Sequence, residues 1–373
     1  MSAYITSTGS FLPGPPIGND EIEEVLGLVE GKPSRLKARI LKANGIKTRH
    51  YAIDKSHRTL FSNAQMAVEA ARTCLAGSPV PLRSVGLLSC ATTQGDLVIP
   101  GFGSMVQAGL GIPEVELHTT HGICSSSAMA IRSAVNTLRL AEQSTALVVV
   151  SELASRLFKS SRYEAAGGHE AIDFDSEFLR WMLSDGAGAM LIEDQPRSDR
   201  LSLRIDWLDV ISFANELETC MYAGALKNPD GSLRTWHEAE DPAEMWAQGY
   251  FNLSQDVTVL ERNLLPVAVK QSFMRVRDKR RLEPAGVDWL LPHLSSEFFR
   301  RPICELLNGL GFAVPAEKWF TNLSRKGNTG SASIFIMLEE LWSSGRLKKG
   351  DRILCAVPES ARFTFAYAHL TAV

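Results

Sequence analysis

The chain runs through one plan twice, and a repeat of this size restricts its fold more than any single motif. In the first half the strand-like "SVGLLSC" (84–90) leads to a helical stretch, then to "VELHTT" (115–120), then to Cys124 with a Ser/Ala-rich helix, then to the strand "ALVVVSE" ending at Glu152. The second half repeats the order: "GVDWLLPH" (286–293), the helical "SSEFFRRPICELLNGLG" (295–311), "EKWFTN" (317–322), "GNTGSASIFIMLEEL" (327–341), and "RILCAVPE" ending at Glu359. Ser89 precedes Cys124 by nearly the interval at which Leu291 precedes Asn328, and Cys124 stands from Glu152 much as Asn328 stands from Glu359. Strands alternating with helices imply an α/β fold, and near-continuous apolar strands imply sheets buried on both faces. Two such halves stacked predict a layered α/β/α/β/α body, divided at 1–195 and 196–373. Superposing them puts Cys124 and Asn328 at equivalent helix starts and His293 at the carboxyl end of a strand, where open α/β sheets place ligands.

The stretch "HTTHGICSSSAMAI" (118–131) raises the chemical question. Glu116 to Thr120 reads as the end of a strand, Gly122 permits a sharp turn, and a helix follows from Ser125. Cys124 therefore stands at a helix mouth, where unpaired N–H groups and the dipole favour thiolate over thiol. The small residues from Ser125 to Ala134 predict a helix approached closely by other elements. A free cysteine taken alone is more often a buried small hydrophobe. A lone His293 is more often a satisfied core histidine, and Asn328, between Gly327 and Gly330, reads on its own as a turn or cap. The shared frame, which lets all three meet at the junction of the halves, reverses those readings. His118 and His121 flank the turn and orient it, and "KSSRYEAAGGHE" (159–170) reads as an exposed loop.

Composition excludes several classes. Hydrophobic residues make up 45% and charged residues 22% of the chain, ordinary globular values. A formal charge of −3 gives no surface for nucleic acid or anionic membrane. The N-terminus lacks the basic start and apolar run of a secretory signal, and no apolar run is long enough to span a bilayer. The cysteines Cys74, Cys90, Cys124, Cys220, Cys304 and Cys355 show no CxxC pair or zinc-site spacing. A soluble cytoplasmic protein without a metal is the expectation.

Five segments in order, "NGIKTRH" (44–50), "GICSSSAMA" (122–130), "SDGAGAMLIE" (184–193), "LLPH" (290–293) and "KGNTGSAS" (326–333), resemble the thiolase-like condensing enzymes, in particular the β-ketoacyl-acyl-carrier-protein synthase III branch. The resemblance covers nearly the whole chain. It implies the five-layered thiolase-like fold, acyl transfer from acyl-CoA or acyl carrier protein to Cys124, and carbon–carbon bond formation on the resulting thioester. In it His293 and Asn328 donate N–H groups to the thioester oxygen of the second substrate, where charge develops as its enolate forms. It implies a homodimer and no metal or redox cofactor.

Departures narrow the reading. Leu294 follows His293 where that branch commonly has glutamine. The segment "PESARFTFAYAHL" (358–370) replaces a glycine-rich loop whose N–H serves the oxyanion, a task left to Ala361. Extra sequence near 158–180 and 212–260 predicts added pocket walls or a dimer-side cover. Glu152 ends the strand after the cysteine helix. Decarboxylation of a malonyl thioester makes its own carbanion, whereas joining two acyl thioesters head to head needs an α-proton removed. A partly desolvated glutamate can remove it, and some relatives reach such a glutamate across a dimer. The expectation is a ketosynthase of secondary metabolism that condenses an acyl group on Cys124 with a β-ketoacyl thioester, with or without cyclisation, Glu152 serving as base. The alternatives are a malonyl-dependent synthase III, a thiolase-like O- or N-acyltransferase, and a non-catalytic partner subunit. Basic Arg35, Lys37, Arg39 and Lys42 meet either a carrier or solvent.

Overall fold

A computed structural model describes residues 2–170 and 172–373. Nine strands form one mixed sheet: β1 Tyr4–Phe11, β2 Leu87–Thr92, β3 Glu116–His121, β4 Thr145–Glu152, β5 Gly186–Glu193, β6 Leu203–Ser212, β7 Trp289–Pro292, β8 Arg352–Glu359 and β9 Thr364–Ala372. The order across the sheet is β7-β8-β9-β6-β1-β5-β4-β2-β3. Read outward from the central β1–β6 pair, the two sides match. On one side β5 lies antiparallel between β1 and β4, and β2 runs parallel to β4. On the other, β9 lies antiparallel between β6 and β8, and β7 runs parallel to β8. The sides join through two register pairs, Tyr4 with Arg204 and Ile5 with Leu203. One expected strand is missing. Where the first half carries β3 parallel to β2, "EKWFTN" contributes a single parallel bridge from Trp319 to Leu290. Its residues instead form a short 3-10 turn at Ala316–Lys318, and Trp319 spends its indole N–H on the Val314 carbonyl at 3.0 Å.

Helices complete the expected five layers. On the outer face of the first half lie α1 Asn63–Ala76, started by a capping box between Ser62 and Gln65, and α2 Phe102–Leu110. The middle layer holds α3 Ser126–Arg139 and α7 Ser333–Ser343, whose apolar side chains share one buried cluster with residues of both sides of the sheet. The outer face of the second half is covered by α4 Val257–Leu265, a π-helical stretch at Pro266–Phe273, α5 Met274–Arg280 and α6 Arg300–Gly309. Strands β2 and β4 are buried along their whole length, as sheets covered on both faces require. Two glycines set how closely the layers approach. A Cβ on Gly9 would lie 2.3 Å from the Cys74 nitrogen in α1, and one on Gly188 would lie 2.4 Å from the Phe335 Cβ in α7. Helix α7 buries Ile334, Phe335, Ile336, Met337, Leu338 and Leu341, a gross hydrophobic contribution on the order of 10 kcal/mol.

The stretch 159–170 is not an exposed loop. It forms a helix at Ser160–Ala165 with Tyr163 buried, because the Arg180 guanidinium stacks 4.8 Å over the Tyr163 ring. Arg180 is itself buried, bridging to Glu177 at 3.3 Å and to the Gly27 carbonyl at 2.8 Å. Position 171 of this insertion lies outside the described residues. No helix among the described residues is long and apolar enough to cross a membrane.

Candidate active site

Cys124 lies between the end of β3 and the first turn of α3, partly exposed, with its carbonyl accepting the Ser127 hydroxyl at 2.9 Å. Ser125, Ser126 and Ser127 are all buried, so the small residues admit close neighbours as their size predicts. Asn328 is fixed from two directions. Its backbone exchanges hydrogen bonds with 182–184, its N–H reaching the Met182 carbonyl at 3.1 Å while Ser184 N–H reaches its own carbonyl at 2.8 Å. Its side-chain Oδ1 accepts the Gly330 N–H at 3.0 Å.

That last bond settles the histidine. His293 Nε2 lies 3.0 Å from the same Oδ1, an atom that can only accept, so Nε2 carries the proton and donates. The amide is thereby oriented, and Asn328 Nδ2 has no protein partner among the described residues. His293 directly follows β7, its N–H bonded to the Ala356 carbonyl at 2.8 Å. Burial lowers its pKa to about 4, with the Asn328 bond opposing. At neutral pH the ring is an uncharged N–H donor.

Glu152 closes the constellation. It is buried at the end of β4, and its Oε1 accepts the Thr93 hydroxyl at 2.8 Å, the Thr93 N–H at 3.1 Å and the Ser331 hydroxyl at 2.5 Å. Burial raises its pKa to about 7 while the Ser331 and Thr93 bonds pull the other way. Cys124, Glu152, His293 and Asn328 together line one cavity. The rest of its wall is largely apolar, with Ile123, Leu157, Leu183 and Leu264 among the lining residues.

The inserted sequence supplies much of that wall. Phe178 and Leu179 from one insertion, and Met221, Leu253, Gln255 and Leu260 from the other, face the cavity. A second cavity shares Phe178, Met182 and Leu260 with the first and brings in Arg39, whose guanidinium lies 5.3 Å from the Phe174 ring centroid. Of the four basic residues near the N-terminus, Arg39 thus faces a cavity, while Lys37 pairs with Glu23. Leu294 is buried in an apolar cluster. The end of β8 presents Pro358, and the turn after it Ser360, to the main cavity, and the Ala361 carbonyl accepts N–H groups of Cys220 and Met221 at 2.8 and 3.3 Å.

Two features were not legible beforehand. The helix mouth was expected to favour a thiolate, yet burial pushes the Cys124 thiol well above its usual range, and Glu359 and Glu152 push it the same way. The second is Glu359 itself, buried at the end of β8, whose Oε2 accepts the Ser125 N–H at 3.1 Å and hydroxyl at 2.5 Å. The signal for it was present, since it occupies the place in the second half that Glu152 holds in the first.

Comparison with known proteins agrees with this architecture. Residues 278–357 match the family 3-Oxoacyl-[acyl-carrier-protein (ACP)] synthase III C terminal. The chain is 28% identical over 355 residues to Beta-ketoacyl-[acyl-carrier-protein] synthase III of Bordetella petrii, covering 94% of this chain and 93% of that protein. Among solved structures, the tetronic acid condensing enzyme AbyA1 superposes with a TM-score of 0.78 at 21% identity, covering 99% of each chain. OleA of Xanthomonas campestris, solved with lauric acid and lauroyl-CoA, superposes with a TM-score of 0.75 at 20% identity over 100% of this chain and 99% of its own. The fold is thiolase-like, and the chain is homologous to 3-oxoacyl-ACP synthase III, an acyl-transferring condensing enzyme.

Proposed function

Starting from a thiolase-fold chain of the synthase III kind, we propose a ketosynthase of secondary metabolism that carries an acyl group on Cys124 and condenses it head to head with a second, β-ketoacyl, thioester. The observation that carries this is the shared cavity of Cys124, Glu152, His293 and Asn328. A thiol exchanges one thioester for another at little thermodynamic cost and holds the acyl group for the next step. The second thioester must then become a carbon nucleophile. His293 Nε2–H, shared between Asn328 Oδ1 at 3.0 Å and the incoming oxygen, and Asn328 Nδ2–H offer donors to the enolate oxygen, a contribution of about 3 kcal/mol when such a donor is aimed well. Glu152 supports the non-decarboxylative route, because a carboxyl whose pKa is raised to about 7 is matched to proton abstraction near neutral pH.

The apolar wall fits an extended acyl chain on either carrier, and OleA, with lauroyl-CoA bound, is an instance of the same fold enclosing one. Arg39 lines the adjoining cavity, which supports a role for it in meeting the anionic carrier, CoA or acyl carrier protein. The protein is read as a cytoplasmic homodimer. Strand β3 leaves one edge unpaired at the end of the sheet, and Leu97, Val98 and Ile99, in the segment leading into α2, are exposed, features that soluble chains cover. Cyclisation of the product remains part of the proposal without a residue assigned to it.

A malonyl-dependent synthase III is the second reading, favoured by the Bordetella petrii relative. Acyl loading followed by intact-mass measurement, with a β-ketoacyl or a malonyl thioester as second substrate, decides. Discharge of the acyl-enzyme by the β-ketoacyl thioester without carbon dioxide supports the proposal. Discharge only by the malonyl thioester, with carbon dioxide, replaces it with the second reading. An ester or amide product would indicate acyl transfer to oxygen or nitrogen, and a folded protein that loads nothing would be a partner subunit.

A further inference from the structure

The two strand-end glutamates are exchanged between the halves. Glu152 leaves the first half to bind Ser331, three residues beyond Asn328, through the hydroxyl at 2.5 Å and the N–H at 3.4 Å. Glu359 leaves the second half to bind Ser125, the residue after Cys124, through the N–H at 3.1 Å and the hydroxyl at 2.5 Å. Each carboxylate is thus planted at the other half's helix start. They differ in what remains free. Thr93 engages both oxygens of Glu152, its N–H reaching Oε2 at 3.3 Å. Both Ser125 bonds of Glu359 fall on Oε2, leaving Oε1 without a side-chain partner among the described residues.

Thioester exchange at a thiol needs somewhere to put the thiol proton. His293 Nε2 cannot take it, because that nitrogen already carries the proton it shares with Asn328. Glu152 is turned toward Thr93 and Ser331. The groups acting on Glu359 are the Ser125 and Ile123 backbone, the Ser125 hydroxyl and the His121 ring, and the charges of Glu359 and Glu152 both bear on Cys124, that of Glu359 the more strongly.

We propose that Glu359, held at the mouth of the cysteine helix by Ser125, takes the Cys124 proton during acyl loading and hands it to the departing thiol. The Sγ–H bond breaks as the Sγ–acyl bond forms. The donor's carbon–sulfur bond then breaks, and the proton held on Glu359 Oε1 passes to the donor sulfur, so the carboxylate is regenerated with no further reactant. This rests on the reading of Cys124 as the acyl carrier. It divides the work between the exchanged carboxylates, Glu359 serving loading and Glu152 condensation.

The test compares wild type with Glu359→Gln and Glu359→Asp in two reactions at Cys124, both followed by intact mass: alkylation by iodoacetamide across pH, and acylation by acetyl-, octanoyl- and lauroyl-CoA. Removing the neighbouring negative charge shifts the alkylation profile of Glu359→Gln to lower pH, so alkylation at neutral pH speeds up severalfold. Removing the proton acceptor slows acylation by about 100-fold or more. A helix start merely disordered by the substitution would not move the two rates in opposite directions. Equal acylation of Glu359→Gln and wild type overturns the proposal, as does a parallel fall in both rates. If Glu359→Gln does not fold, Glu359→Asp decides: an unchanged alkylation profile with acylation at least about tenfold slower supports the role, and unchanged acylation ends it. Wild type that alkylates at Cys124 but accepts no acyl-CoA removes the underlying reading and this proposal with it.

Discussion

Glu152→Gln should make the protein inactive in head-to-head condensation and, at alkaline pH, more stable. The buried carboxyl has a pKa raised from 4.5 to about 7. Between those values the folded state holds a proton that the unfolded state has released, so stability falls as pH rises through that window. At about 1.36 kcal/mol per pH unit, the full traverse costs about 3 kcal/mol, already net of the Ser331 and Thr93 bonds. Glutamine is the permanently protonated mimic and escapes that loss. Other groups titrate in the same range, among them Asp185, raised to about 6, which acts in the same direction, and His293, lowered to about 4, which acts in the opposite one. Taking the difference between variant and wild type removes them. Urea denaturation at about pH 5 and about pH 8 should therefore show the variant gaining about 3 kcal/mol on wild type between the two. In the same preparation, acyl loading on Cys124 should persist while condensation with a β-ketoacyl thioester falls by about 100-fold or more. A stability difference independent of pH would refute the electrostatic reasoning, and undiminished condensation would refute the catalytic role.

Other substitutions separate the remaining parts. Cys124→Ala should abolish the acyl mass shift entirely, since no other cavity-lining residue is a thiol. His293→Ala and Asn328→Ala should leave loading within about threefold of wild type and slow condensation by about 100- to 1000-fold, as read by single-turnover assays on the preformed acyl-enzyme. Gly330→Ala should destabilise by about 1–2 kcal/mol in urea melts, because Gly330 has φ of +54° and an added Cβ would lie 3.0 Å from Glu152 Cγ. Leu253→Trp, filling the wall contributed by the second insertion, should shift the preferred donor toward shorter acyl-CoAs in competition assays.

Much of the frame was legible because it is written in periodicities that burial enforces. The all-apolar run at β4, the glycine turn before α3 and the matched spacing of the halves each reflect a local requirement that tertiary contacts reinforce. The expected strand at "EKWFTN" failed for the same reason in reverse. The repeat puts it where the first half has β3, but Phe320 is buried with the middle layer and Trp319 with the outer helices, leaving backbone for one bridge only. In 159–170 polar residues suggested a loop, and what orders the segment is Arg180, distant in sequence and buried through a partner set no local pattern announces.

The charge state of the site was the least legible part, because it depends on which groups burial brings together. A helix mouth alone argues for a thiolate, and that argument uses only residues near Cys124. Two carboxylates arriving from strand ends oppose it, and burial opposes it further. For the proposed acyl loading, a resting thiol beside Glu359 is no defect: a permanent thiolate in an apolar cavity would be open to any electrophile, whereas a thiol released by a neighbouring base reacts when a substrate is in place to receive the sulfur. The repeat that fixes the fold also supplies the arrangement. Each strand after a helix start ends in glutamate, and stacking two copies carries each glutamate to the other's helix, so one sequence rule used twice yields two buried acids with different partners, and the proposal gives them different tasks.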